Sequence, residues 1–552
     1  MAENKSEDCT MAPPEPEHLE SAGLSNEKAQ GDPLTLAEVI ERNRPDPWGS
    51  GYRKLYLMSA LVFLCSTMNG YDTSLMGSIN ALPNYTEYYN LPTKGSVSTG
   101  IVFSIFQIGQ MAGALFIWMA DWRGRRTHIF IGCLGVCVAT VITSTAKKLS
   151  VFIGGRFLLS FFATCAHTAS PLLLVELAPP QYRGSVAGMY NTLYYLGSIL
   201  ATSSVYGAHL HLAHRGHLDW RLPLWLQMVC PGLVCLGIWF VPESPRWLIA
   251  KDRHEEAQAF IVKYHANGDA SHPIVVLEMN EMTNNLQEEG ITHWRNFFDL
   301  SVLVKSRSRR YRLMLNLVFS WFGQFSGNNV ISYYLPTLLK NVGVTNTDTQ
   351  LLLNIIYALT GWIAATIGTR FHDIVGRRKM FLGSTAGMVI CLAVTAATAA
   401  VFVHSSSTIA SSASIAFIYI FGVVFAFAFT SMQPIYPGEV MSNDMRAKGM
   451  GTFKLTAGAA GFINTFAAPV ALADVSLQHS WLSGTGSMSS SFSGIALSLL
   501  SSTSFLLRPR VVPLKNWRKC LKPRILARRV SRFHHALTVL KIGKNSGISG
   551  MT

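Results

Sequence analysis

The stretch "DWRGRRTH", residues 121–128, has an echo far downstream in "HDIVGRRK", residues 372–379. Both run Asp, two residues, then Gly-Arg-Arg, as Asp121, Arg125 and Arg126 in one copy and Asp373, Arg377 and Arg378 in the other. Both directly follow an apolar run long enough to cross a bilayer. A second matched pair lies one hairpin further on: Glu176 stands seven residues before Arg183, and Glu439 seven before Arg446. Pro242-Glu243-Ser244-Pro245-Arg246 closes the first half. A single basic loop motif arises easily by chance, but two pairs at equivalent places point to internal duplication. Carboxylates and guanidiniums at helix ends can form bidentate pairs that clamp two bundles in one state and part in another, with Glu243 and Arg246 available to the same clasp.

The chain around these motifs has 552 residues, 49% of them hydrophobic and 14% charged, with a mean hydropathy of +0.26. That is too apolar for an ordinary soluble protein. Apolar runs of about 20 residues recur at 55–81, 98–120, 128–147, 150–175, 186–207, 223–241, 313–338, 350–371, 380–403, 411–437 and 449–473. A twelfth candidate, 480–507, is uncharged but crowded with Ser. Residues 1–51 are polar and contain no short apolar core, so they read as a cytosolic tail without a signal peptide. Counting spans from that side places all the basic motifs in the cytosol, as the positive-inside rule requires. The implied layout is a first six-helix bundle over 52–241, a cytosolic loop over 242–312 and a second bundle over 313–507, followed by a basic tail over 508–552. Asn84-Tyr85-Thr86 forms a glycosylation sequon in the first outer loop. Cys65, Cys133, Cys137, Cys165, Cys230, Cys235 and Cys391 fall within spans, without metal or redox spacing, and read as small packing residues.

These motifs together with "GRFLLS", "PESPRWL", "GQFSGNN" and "PGEV" resemble the sugar porter family of the major facilitator superfamily, over residues 52 to about 474. "NGYDTSLMGSINALPNY" and "GQFSGNNVISYYLP" are similar to fungal lactose, cellodextrin and hexose permeases. The resemblance implies an all-α membrane protein of twelve helices in two six-helix bundles, a central site between them, and alternating access.

Asp72 sits within the first span. A carboxylate at a helix centre costs about 2.5–3.5 kcal/mol on the insertion scale, so it should face a cavity or a partner. Arg156 in span four lies at matching depth. The resemblance makes Asp72 the proton carrier and Arg156 its ion-pair partner; the alternative is a fixed pair or a helix-end residue at the wet outer boundary. A neutral, hydroxyl-rich ligand needs uncharged hydrogen-bonding groups at mid-membrane. Span seven offers Gln324, Asn328 and Asn329, of which the resemblance assigns Gln324 and Asn329 to the sugar. Asn191 in span five stands where many relatives have a sugar-binding Gln. Gly323 stands where hexose facilitators often have a second Gln. Each amide could instead staple two helices. Tyr333, Tyr334 and Trp362 read as packing residues, and His167 as a satisfied core histidine.

Residues 508–552 carry twelve Lys and Arg and no Asp or Glu, a composition that ordinarily attracts anionic lipid or nucleic acid. A different origin explains it better. Reading the codons of Leu507–Arg529 one frame away permits Glu-Thr-Lys-Gly-Arg followed by an acidic segment, which is how sugar porters continue after span twelve. A frame error or missed intron between about Asp474 and His479 is therefore expected, with no nucleic-acid partner.

The sequence thus predicts a multi-pass transporter of the plasma membrane whose partners are a small sugar, protons and the lipid bilayer. Proton symport of a disaccharide such as lactose leads, with a hexose facilitator and a non-transporting sugar sensor as alternatives. No nucleophile–base set, metal cluster or phosphate loop suggests an enzyme, a cofactor or a bound metal.

Overall fold

The computed structural model describes residues 46–91, 97–289, 301–405 and 407–477, apart from 431, 434, 435, 437–439 and 442. The twelfth candidate span, the basic tail and most of the N-terminal tail lie outside the described residues, as does Glu439. Every regular element among the described residues is helical. In a bilayer each backbone N–H and C=O needs an internal partner, and a helix provides one within its own segment.

The first half comprises α1 (Ser50–Ile79), α2 (Pro83–Tyr88), α3 (Val97–Ala114), α4 (Trp118–Arg123), α5 (Arg125–Thr145), α6 (Leu149–Leu177), α7 (Arg183–Leu212), α8 (Leu218–Leu226) and α9 (Val229–Gly237). On the side expected to face the cytosol follow α10 (Pro245–Ala250), α11 (His254–Tyr264), α12 (Pro273–Glu289) and α13 (Ser301–Val304). The second half comprises α14 (Arg307–Phe325), α15 (Asn328–Asn341), α16 (Thr347–Val375), α17 (Arg377–Ser405), α18 (Thr408–Phe425) and α19 (Asn443–Leu477).

Among the described residues the eleven expected spans are helical, but three are broken. Span two bends between α3 and α4. Span six starts earlier than expected, at Leu218, and divides into α8, α9 and a 3-10 turn over Ile238–Phe240. Span seven divides at Gly327, whose φ of 93° lies in the left-handed region that favours glycine. Span ten ends in a π-turn, Ala426–Thr430. Span eleven begins earlier than its hydropathy suggests, at Asn443 rather than near 449. Six segments are long and apolar enough to cross a bilayer by length and composition: Arg125–Thr145, Leu149–Leu177, Leu218–Phe240, Thr347–His372, Arg377–Ala399 and Thr408–Thr430. The more polar remainder carry Asp72, Gln107, Asn191, Gln324 and Lys454, residues that lipid would not accept.

Small residues set the closest helix contacts. A Cβ on Gly70 would stand 1.8 Å from the Tyr194 carbonyl oxygen, and one on Gly197 would stand 1.9 Å from that of Thr67, so α1 and α7 touch backbone to backbone. The two halves meet where α3 packs along α19, α7 along α16 and α1 along α15. Asn354 Nδ2 donates to Ser78 Oγ at 2.8 Å across this boundary, and His209 Nε2 lies 3.6 Å from Asp348 Oδ1 nearer the outer ends. The cytosolic helices share a core with the first half: Phe260, Ile261, Tyr264 and Met282 belong to the same buried cluster as Leu55, Val62 and Leu177.

At the outer rim the sequon nitrogen is engaged. Asn84 Nδ2 donates to Asp219 Oδ2 at 2.8 Å and to the Ala213 carbonyl at 3.4 Å, so this amide ties α2 to the α7–α8 corner. The seven span cysteines are free thiols, with Cys65, Cys133, Cys165 and Cys391 fully buried.

Adding a methyl group at the α1–α7 contact forces the backbones apart, and overpacking of this kind typically costs about 1–3 kcal/mol. Gly70→Ala and Gly197→Ala should therefore lower the melting temperature of detergent-purified protein by several degrees. Gly154→Ala, which meets nothing within 4 Å, should leave it unchanged. Equal melting of all three would refute the close contact.

Candidate functional site

Asp72 lies seven residues from the outer end of α1 and Arg156 seven from the outer end of α6, so each is about 10 Å in from its helix end at 1.5 Å per residue. The shared depth expected from the sequence is present, and both side chains are buried, at 0% and 2% exposure. They come within electrostatic reach of one another, but no direct ion pair joins them among the described residues. Arg156 Nε donates to the Val102 carbonyl at 3.3 Å, and the guanidinium sits 5.5 Å from the centre of the Phe106 ring. The hydrogen-bond partner of Asp72 is Gln227, at the α8–α9 break, whose Nε2 donates to Asp72 Oδ1. Asp72 Oδ2 and Gln227 Oε1 remain buried without partners. Gln227 was not legible as a site residue: it is one amide in an apolar run, 155 positions from the carboxylate it serves.

The amides form two groups. Asn329 Nδ2 donates to Gln324 Oε1 at 2.6 Å, and Asn464 Nδ2 to the Gln324 carbonyl at 2.7 Å, which brings α19 to the broken span seven. Asn328 opens α15 beside them, partly exposed. A Cβ on Gly323 would stand 3.5 Å from Gln433 Nε2, so the room left by the glycine is lined by an amide from a different segment. The second group is deeper toward the cytosol: Asn191 Nδ2 donates to the Thr430 carbonyl at the π-turn, and Tyr195 Oη lies 3.3 Å from Thr430 Oγ1. Thr73 Oγ1 and Tyr194 Oη pair at 2.7 Å. Tyr333 and Tyr334 are buried against Phe103, at 5.4 and 5.0 Å between ring centres. Trp362 packs beside Tyr194 and Tyr195.

Two basic side chains complete the interior. Lys454 lies on the face of α19 that also carries Gly458 and Gly461, where added Cβ atoms would meet Met111 and Gln107 of α3. His167 follows Thr164, which closes on Gly113 of α3, and its ring lies 5.8 Å from that of Tyr190. Each is partly exposed. The expectation of a fully satisfied core histidine does not hold for His167, which has no hydrogen bond among the described residues.

The cytosolic motif is assembled in the first half. Arg125 Nη2 lies 3.0 Å from Asp121 Oδ1 and its Nε 3.1 Å from Glu176 Oε2, while Nη2 donates to Glu176 Oε1 at 3.4 Å. Glu243 caps the start of α5, accepting from Arg125 N at 3.1 Å and Arg126 N at 3.3–3.4 Å, where a carboxylate also suits the positive end of the helix. Burial pushes the Glu243 carboxyl up, against the pull of the Ser244 and Arg126 amides and of both guanidiniums. Arg126 Nη1 reaches the Val241 carbonyl at 3.2 Å. Ser244 accepts from Trp247 N at 3.3 Å, and Trp247 Nε1 donates to the Asp121 carbonyl at 3.0 Å. Arg183 binds Glu278 Oε1 at 3.1 Å, a partner from α12 that motif spacing did not suggest, and Arg246 lies within electrostatic reach of Arg183.

The second half repeats part of this geometry. Arg125 Nη1 donates to the carbonyl five residues back, Ala120, at 3.4 Å, and Arg377 Nη1 donates to its own counterpart, His372, at 3.3 Å. Gly124 and Gly376 break their helices at φ 100° and 91°. Arg378 is exposed. The side chains of Asp373 and Arg446 lie outside what the structure describes.

Among the described residues this architecture, eleven spans in two bundles, is that of the major facilitator superfamily. The proton:xylose symporter XylE superposes with a TM-score of 0.68 at 20% identity, covering 82% of this chain and 96% of that one; an inward open XylE structure from E. coli gives 0.64 at 18%, covering 83% and 98%. The model of the "Sugar (and other) transporter" family matches residues 58–505, and the chain belongs to that family. Among curated relatives, the quinate permease of Neurospora africana is 29% identical over 365 residues, 63% of this chain and 67% of its own length. The MFS-type transporter qa-x of Neurospora crassa is 27% identical over 368 residues, covering 64% and 67%. A probable quinate permease of Aspergillus fumigatus is 26% identical over 432 residues, covering 75% and 79%. The protein is a multi-pass membrane transporter and not an enzyme.

Removing the Arg125 guanidinium leaves Asp121 and Glu176 facing each other in a largely buried pocket. Arg125→Ala should therefore destabilise the protein by up to about 3 kcal/mol, read as a drop in melting temperature in detergent, with Arg125→Lys in between. An unchanged melting curve for Arg125→Ala would show that the cluster holds nothing together.

Proposed function

We propose that the protein imports a small polyhydroxylated solute across the plasma membrane by alternating access, driven by protons taken up at Asp72. The observation that carries this reading is the buried Asp72 carboxylate with one oxygen on Gln227 and the other without a partner. Such a group can take a proton without first breaking an ion pair, and Gln227 can serve both forms: its NH2 donates to the carboxylate, and its free Oε1 can accept from the acid. Arg156, held on the Val102 carbonyl in the same bundle as Asp72, is a fixed positive neighbour of the carboxylate. The ligand is received by Gln324, Asn328 and Asn329 on one side and Asn191 on the other, with Asn464 and Gln433 extending the amide lining. Releasing Asn191 from the Thr430 carbonyl would free a donor on one bundle and an acceptor on the other as they part. The clasp of Asp121, Arg125, Arg126, Glu176, Glu243, Arg183 and Arg246, with Asp373, Arg377, Arg378, Glu439 and Arg446 as its second-half counterpart, opens and closes the cytosolic side.

The solved neighbour is named a proton:xylose symporter, which favours proton coupling. The curated relatives are named for quinate, a single ring, so nothing favours lactose in particular, and a ring-sized ligand is the better reading.

The test is uptake of labelled xylose, glucose, lactose and quinate by transporter-deficient cells. A protonophore should abolish accumulation, and Asp72→Asn should lose accumulation while retaining exchange of internal for external substrate. Protonophore-resistant accumulation by the parent would exclude symport.

A further inference from the structure

The pocket expected from the sequence is neutral, yet two basic groups stand at a comparable depth in the helices. Lys454 is eleven residues from the cytosolic start of α19 and His167 ten from the cytosolic end of α6, so each is about 15 Å along its helix. Asn191 is eight residues into α7, at comparable depth. Lys454 and His167 come from opposite bundles, on helix faces that both close on α3, and they lie within electrostatic reach of each other.

Their surroundings exclude the usual reasons for a membrane lysine. The Gly458 and Gly461 face is pressed against Met111 and Gln107, so Lys454 stands on a face of α19 turned toward α3 rather than toward lipid. No carboxylate pairs with it: the described ion pairs of the chain join Asp121, Glu176, Glu256, Glu278 and Asp348 to other residues, and Asp72 is bound by Gln227 in the outer half. Both Lys454 and His167 retain partial exposure, on helix faces whose Gly458 and Thr164 contacts turn toward α3. A cation without an anion at this depth is costly unless something else brings the negative charge.

Resting on the transport reading above, we infer that the transported solute brings that charge: the substrate is a polyhydroxylated monocarboxylate whose carboxylate docks on Lys454, with His167 as an adjacent donor, while its hydroxyls engage Asn191 and the span-seven amides. A charge-assisted bond from an ammonium to a carboxylate supplies both affinity and discrimination, because a neutral ring of the same size leaves the lysine unpaired. The arrangement spans both bundles, so the anion would draw Lys454 of the second toward His167 of the first as the passage closes around it.

The experiment compares uptake of labelled quinate, inositol and glucose by cells shown by surface labelling to carry the full chain, in the parent and in Lys454→Gln, Lys454→Arg and His167→Gln. The parent should take up quinate saturably, with competition from other hydroxylated monocarboxylates and none from inositol. Lys454→Gln should raise the KM for quinate roughly 10- to 100-fold, the range for losing a hydrogen bond to a charged group. Lys454→Arg should keep KM within several-fold of the parent, and His167→Gln should fall between them. Melting of the purified variants in detergent, with and without quinate, separates misfolding from lost binding: Lys454→Gln should melt like the parent alone and lose the upward shift with quinate. Quinate uptake unchanged by Lys454→Gln overturns the inference. Parent uptake of glucose or inositol in which quinate is neither carried nor a competitor also overturns it, while leaving the transport reading intact. A surface-exposed parent that carries none of the three, nor xylose or lactose, overturns both.

Discussion

A charge inside a bilayer has to be answered, and the arrangement of this protein follows from where its answers lie. Asp72 and Lys454 sit on α1 and α19, which fall outside the set of helices apolar enough to cross a membrane by composition, while Arg156 and His167 are isolated basic groups on α6, which belongs to it. The helices that could cross a membrane by apolar composition alone include α5, which packs along α6. The division of labour between oily and polar helices is the fold's basic constraint. It is met by close backbone contact at glycines, which lets the polar helices pack without leaving voids for unpaired groups.

The interior groups are answered in different ways. Arg156 is given a carbonyl and an aromatic face, which stabilise it without neutralising it. Asp72 is given an amide, which can follow the carboxyl through both protonation states. The interior lysine is given no anion by the described chain. A site whose charges were all paired would be a scaffold; one with a half-answered carboxylate and an unanswered cation is poised for a proton and an anion to arrive.

Much of the architecture could be read from the chain because the cytosolic motifs occur twice, and a motif that recurs at equivalent places marks out the two halves. The structure repeats the echo in finer detail than sequence can express, in matching left-handed glycines and matching bonds from Arg125 and Arg377 to carbonyls five residues back. The shared depth of Asp72 and Arg156 was legible from their distances to helix ends. Gln227 was not, because hydropathy treats a lone amide in an apolar run as a minor blemish and says nothing of what it faces. Lys454 escaped for a different reason. A span starting near 449 puts it a few residues from basic loops, where a lysine looks like an interfacial anchor; a helix starting at Asn443 carries it further inside, onto the same face as two glycines. The break at Gly327 was equally hidden, since an apolar run reads the same whether one helix or two traverses it.

The cytosolic helices α11 and α12 are bonded to the first bundle by a common core and by the Arg183–Glu278 pair, with His265 adding a contact at 2.8 Å to the same glutamate. They belong mechanically to that half of the molecule. As the bundles swing, this appendage would travel as a pointer fixed to one arm of a pair of scissors, and a reporter placed on it would read the angle of the blades without touching the cargo between them.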